Sequence, residues 1–141
     1  MSGEVDARQH NERELQYGPS GENPVDSPFN PRQLARLDEA LTLSSRETGL
    51  IFSLYVGEFH KPTRAHAEAL FEQLSDSAVL IAVSPGQRAL HIVTGTESAK
   101  RLPNRTCALA ALAMRASFAN GDLVGGIVTG LRMLADSAGN S

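Results

Sequence analysis

Apolar positions along the chain change their spacing several times, and each change marks an element. Leu34, Leu37 and Leu41 recur at three and four residues, the repeat of one helical face, while Arg36 and Asp38 fall off it. Asn30 and Pro31 just ahead form a helix start, a capping side chain followed by a residue whose fixed φ suits the first turn. This helix is expected to end near Ser44 or Ser45, with Gly49 as the break. Residues 50–56 are almost continuously apolar and rich in branched and aromatic side chains, as in a strand covered on both faces. A second helix opens at Pro62 and Thr63, with Ala67, Leu70, Phe71 and Leu74 as its buried stripe and Asp76 and Ser77 as its end. Residues 77–83 make a second buried strand. Strand, helix and strand within about 34 residues define a βαβ unit, which implies a parallel pair joined by a right-handed crossover.

Residues 84–88 are a turn, too short for another parallel crossover, so residues 89–94 fold back as an antiparallel partner. Leu90, Ile92 and Thr94 alternate there with Ala89, His91 and Val93, which suits an edge or half-covered strand. Thr94 and Glu97 have capping-box spacing and predict a short helix before Pro103. Asn104 caps the next helix, in which residues 106–114 carry no charge. Cys107, Ala111, Met114 and Phe118 share one of its faces, so it is expected to be largely buried. The last helix follows a turn and N-cap formed by Asn120, Gly121 and Asp122, with Leu123, Ile127, Leu131 and Leu134 on one stripe. Gly125, Gly126 and Gly130 lie inside it, at roughly 1 kcal/mol each relative to alanine. Gly126 and Gly130 fall on one face and point to close packing by a neighbour, in a helix pressed onto a sheet. The predicted class is α/β. It is a three-layer α/β/α sandwich with a small mixed sheet of three or four strands and helices on both faces.

Composition sharpens the boundaries. The 141 residues suit one domain, and the net charge of −3 is unevenly spread. Residues 1–28 hold six acids and two basic residues, with Gly18, Pro19, Gly21, Pro24 and Pro28 crowded into the second half. That stretch reads as a disordered acidic tail, residues 29–138 as the domain, and residues 139–141 as a frayed end. The remainder is nearly neutral, with no basic stripe for nucleic acid and no polybasic patch for a membrane surface. No apolar run approaches the roughly 18 residues of a membrane span, and no signal-peptide pattern opens the chain. The single cysteine, Cys107, excludes an internal disulfide. A cytoplasmic monomer is the expected form, with an unknown protein partner; weak self-association would use the small-residue helix face.

Candidate chemistry is sparse. His60 and His66 lie six apart without a cysteine at ligand spacing, His91 is on a strand, and His10 is in the tail. No G-x-S-x-G or phosphate-binding loop occurs, and Cys107 reads as an inert helix residue. Ligands of open α/β sheets sit beyond the carboxyl ends of the strands. Gly57, Glu58, Ser84 and Gly86 occupy those ends, and Asn120 and Gly121 form the other loop expected to face a ligand. Glu58 and Asp122, if adjacent, would supply carboxylates for Ca²⁺ or Mg²⁺. Arg88, Lys100, Arg101 and Arg105 are a second candidate, a cationic edge for an anion.

The order of these elements, closed by Phe118-x-x-Gly121-Asp122-x-x-x-Gly126-Ile127-x-x-Gly130-Leu131, resembles the TPM domain of thylakoid-lumen and bacterial proteins. More narrowly, it looks like a family of uncharacterised actinobacterial proteins distantly similar to TPM domains, over roughly residues 31–137. The resemblance implies an α/β/α sandwich, with calcium binding and acid phosphatase activity associated with some plant members. Asp122 alone matches a recurrent feature of that family, and no catalytic residue carries over. Two functions follow as expectations: a non-catalytic cytoplasmic binding or accessory module, and, as the alternative, a divalent-metal-dependent phosphatase acting on phosphoesters.

Overall fold

A computed structural model describes residues 13–17 and 28–139. Its elements in chain order are β1 (Arg13–Tyr17), α1 (Pro31–Thr48), β2 (Ile51–Val56), α2 (Thr63–Phe71), β3 (Ala78–Ser84), β4 (Ala89–Thr94), α3 (Asn104–Ala119) and α4 (Leu123–Ala138). The strands form one sheet in the order β1-β2-β3-β4. β1, β2 and β3 are parallel, and β4 runs antiparallel to β3 with Val83 opposite Leu90 and Ile81 opposite Ile92. The mixed α/β sandwich predicted from the spacing is therefore the fold.

Strand alternation divides the interior in two. Phe52, Leu54 and Val56 of β2 share a face with Val79, Ile81 and Val83 of β3 and with Leu90 and Ile92 of β4. Against that face pack Leu37 and Leu41 of α1, Ala110 and Met114 of α3, and Val124, Ile127, Leu131 and Leu134 of α4. The opposite face carries Tyr55, Leu80, Ala82 and Val93, covered by Phe59 and by Ala67, Leu70 and Phe71 of α2. β1, β2 and β3 succeed one another in one direction across the sheet, yet α1 and α2 lie on opposite faces. The two parallel crossovers thus have opposite hands, and the right-handed preference holds for only one.

Local chemistry explains where the elements end. Asn30 and Gln33 cap α1 reciprocally, side chain to backbone, at 2.8 and 3.0 Å. The helix passes Ser44 and Ser45 and stops at Thr48, one turn beyond the expected end. Thr48 Oγ1 donates to the Ser44 carbonyl at 2.7 Å, and Gly49, at φ 81°, closes the turn on the Ser45 carbonyl. Ser45 Oγ accepts from the Phe52 amide at 3.0 Å and ties the helix to β2. α2 is shorter than predicted: after Phe71 the chain tightens into i→i+3 bonds from Gln73 and Leu74.

Four expectations need correction. Residues 1–28 are not wholly a tail, because Arg13–Tyr17 pair in register with β2; residues 1–12 and 18–27 of that stretch lie outside the described residues. The helix expected near Thr94 is a single 3₁₀ turn, Ser98–Lys100. Gly95 is pressed onto the backbone of Asp76 and Ser98 Oγ bonds the Ala78 carbonyl, which ties this turn to the start of β3. α3 begins at Asn104 itself and is only partly buried: Leu109 and Leu112 stand 49% and 65% exposed, because its uncharged run wraps the whole helix while only one face meets the core. Finally, the close neighbour that the face of Gly126 and Gly130 admits is α3 rather than the sheet. A Cβ at Gly126 would meet the Phe118 ring at 2.7 Å and Ser117 Cβ at 2.9 Å, and one at Gly130 would strike Met114, so α3 of the same chain already occupies it.

Candidate functional site

Where β3 turns into β4, the hairpin end projects past the last turn of α3 and the first turn of α4. The space between them is a cleft of about 470 Å³. Its floor is the cross-strand pair Val83 and Leu90, both on the face of the sheet that meets the three helices. Phe118 and Leu123 form the walls, and Ser84, Pro85, Ala89, Ala119 and Gly121 complete the lining. Gly121 is there because the α3–α4 turn requires φ 83°, a conformation that favours glycine.

Two guanidinium groups, Arg88 and Arg115, are the charged side chains of the lining, and no carboxylate accompanies them. Arg88 sits at φ 53°, closing the 3₁₀ turn Pro85–Gln87 through its amide to the Pro85 carbonyl. Arg115 projects from α3 and donates through Nη2 to the Leu90 carbonyl at 3.2 Å. From the other helical layer, Arg64 reaches the Ile92 carbonyl of the same strand at 3.4 Å. The two arginines thus block carbonyls on the outer edge of β4. The C-terminus of α3 and the N-terminus of α4 meet beside the cleft with opposite partial charges. These partial charges oppose one another, and the Asp122 carboxylate caps the α4 end.

The structure gathers some predicted site residues and separates others. Ser84 and Gly121 line the cleft; Gly57, Gly86, Asn120, Glu58 and Asp122 do not. Asp122 has its expected role as N-cap, its carboxylate accepting from the Gly125 amide at 2.9 Å. Glu58 is exposed beyond β2, and its backbone carbonyl accepts from Tyr55 Oη at 2.8 Å. Among the described residues no group of three or more His, Cys, Asp or Glu side chains is placed to hold a metal ion. The predicted cationic edge is also dispersed. Arg101 binds the Thr48, Ala138 and Gly139 carbonyls at 2.7–3.2 Å, Lys100 pairs with Glu97 at 3.1 Å, and Arg88 alone of that group reaches the cleft. Burial pushes the Cys107 thiol up, which fits an unreactive residue.

A polar bridge links the cleft to the far face of the sheet. Gln87 Oε1 accepts from the Ser84 hydroxyl at 2.7 Å and from the Phe59 amide at 2.8 Å, while its Nε2 donates to the Phe59 carbonyl at 3.0 Å. The Phe59 ring lies 5.6 Å from Tyr55, 5.6 Å from His66 and 5.7 Å from His91. His66 Nδ1 accepts from the His60 amide at 2.8 Å, and the two imidazoles stack at 4.7 Å. Burial lowers the His66 pKa, helped by neighbouring His60; burial lowers that of His91 too, with Arg64 and Arg115 adding to the effect and Glu68 opposing it. Neither Gln87 nor Arg115 stands out in the sequence, because their partners lie 28 and 25 residues away.

Comparison with known proteins places this architecture. A domain-family model, described as a domain of unknown function, DUF5130, matches residues 15–135. The chain belongs to the DUF5130 family. Its match begins inside β1, in agreement with a sheet that includes this strand. Uncharacterised proteins of two Mycobacterium tuberculosis strains are each 36% identical over 117 residues, 82% of this chain and 70% of theirs. The DUF5130 fold also resembles solution structures of distant sequence. A protein of the psychrophilic bacterium Bizionia argentinensis has a TM-score of 0.73 at 13% identity, covering 81% of this chain and 83% of that one. The N-terminal domain of a protein from P. gingivalis has 0.71 at 14%, covering 87% and 80%. The N-terminal domain of a Corynebacterium glutamicum protein has 0.68 at 12%, covering 90% and 80%. These likenesses concern the fold.

Proposed function

We propose that this DUF5130 domain is a non-catalytic binding module that takes an anionic ligand in the cleft at the β3–β4 turn. The observation that carries this reading is the lining itself: Arg88 and Arg115 face the same space and no carboxylate lines it with them. Guanidinium groups present forked donors that suit carboxylate and phosphate oxygens. The mycobacterial relatives fit the narrow actinobacterial family considered above, and the cleft lies at the carboxyl end of β3, where open α/β sheets take their ligands. A cytoplasmic setting fits the single cysteine.

An amide-resolved NMR titration with inorganic phosphate, then Ca²⁺ and Mg²⁺, tests the reading. Phosphate should give saturable shifts at Ser84, Arg88 and Gly121 that weaken as salt is raised. Shifts confined to Glu58 and Asp122 on adding the cations, with none from phosphate, would refute anion binding and favour metal-assisted phosphoester hydrolysis.

A further inference from the structure

From the same cleft we infer that the ligand is an amphiphile, a single oxyanion head, carboxylate or phosphate monoester, on a short apolar body. This rests on the anion-binding reading and names the ligand class. The polar inventory of the cleft is short. The Ser84 hydroxyl is already donated to Gln87, and one Arg115 nitrogen to the Leu90 carbonyl. The remaining strong donors are those of two guanidinium groups, both on exposed residues. The surface beneath them is apolar: the half-buried Phe118 and Leu123 offer the accessible part, above Val83 and Leu90, which at 1% and 3% exposure close the floor into the core cluster. A small hydrophilic anion such as inorganic phosphate would meet the arginines largely in water and bind them only weakly, leaving the apolar walls uncovered. An uncharged apolar molecule would leave the arginines unused. A head joined to a short tail satisfies both parts, and about 470 Å³ is within the range of small-molecule sites.

The test is a calorimetric and NMR series on the full chain with acetate, butanoate, hexanoate, hexyl phosphate, inorganic phosphate and 1-hexanol. Affinity should tighten by up to about fourfold per methylene buried along the carboxylates. Hexanoate or hexyl phosphate should shift residues 83–90 and 118–123 together, and 1-hexanol should bind at least tenfold more weakly. Which of the two six-carbon anions binds tighter identifies the head. Arg88→Gln should weaken the six-carbon anions about tenfold and leave 1-hexanol unchanged. Ala119→Phe, at an exposed lining position, should narrow the cleft and remove the chain-length dependence without unfolding the domain. Equal affinity for acetate and hexanoate at the cleft would overturn the amphiphile and leave anion binding standing. Equal affinity for 1-hexanol and hexanoate would overturn the head group, and no shifts with any anion would overturn both readings.

Discussion

The two faces of the sheet are made by the same strands yet hold together differently. On the face of α1, α3 and α4 the contacts are aliphatic and dense: Phe52, Leu54 and Ile81 are fully buried against Leu37, Leu41, Ile127 and Leu134. On the face of α2 a nine-residue helix covers a smaller cluster, of which Ala67 is that helix's only fully buried side chain among the described residues. Beside the aliphatic Leu80, Ala82 and Val93, that side carries Tyr55, Phe59, His66 and His91 in ring contact, with Gln87 threading hydrogen bonds through the loop. Burial of apolar area supplies most folding free energy, so stability should concentrate on the first face. Titratable rings on the second make that side the one that responds to pH.

The sharpest way to break the comparison is to cut one residue from each side. Phe52→Ala should cost about 3–5 kcal/mol in a denaturant melt, whereas Leu70→Ala, half-buried on α2, should cost only about 1 kcal/mol. Equal losses would show that α2 is as integral to stability as the three-helix layer. Next in size is the α3–α4 contact. Gly126→Leu must displace Phe118 and Ser117 and should cost about 1–3 kcal/mol, while Gly86→Ala, with nothing within 4 Å, should change little. Similar effects at both glycines would mean that backbone freedom, rather than close packing, matters in α4.

The smallest effect is on pH dependence. His66 and His91 have pKa values held below 6.5 in the folded chain, so the unfolded chain binds more protons as pH falls through that value. Their contribution is fully present above 6.5 and is lost as pH drops toward and through the folded values. Thermal melts from pH 7.5 to 5, limits set by the ordinary histidine range of about 6.5, should show Tm falling with acidity. His66→Gln, which retains an acceptor for the His60 amide, should flatten that slope. An unchanged slope in both His66→Gln and His91→Gln would assign the loss to groups elsewhere.

What the chain declares in its own order is the larger part of the fold. Continuous apolar runs reveal β2 and β3, alternation reveals β4, and spacings of three to four residues reveal all four helices, while Asn30, Gly121 and Asp122 mark ends by chemistry local to a few residues. β1 escapes because Arg-Glu-Leu-Gln-Tyr has weak strand character, and only pairing with β2 makes it a strand. The exposed side of α3 escapes for the opposite reason, since an uncharged run does not reveal which of its faces will find a partner.

The candidate site lies almost wholly beyond that local range. Ser84 and Gly121 were legible as strand-end and turn residues, but their meeting with Arg88 and Arg115 depends on how α3 crosses the hairpin. Glu58 and Asp122 looked equivalent as carboxylates; folding leaves one exposed beyond β2 and commits the other to the Gly125 amide. Sequence determined the elements, their caps and the buried stripes, because hydrogen bonding and apolar period act over a few residues. Tertiary structure decided which face each helix covers, which arginines share a cleft and which glycines receive a neighbour. Those outcomes depend on contacts between residues dozens of positions apart, which no local pattern encodes.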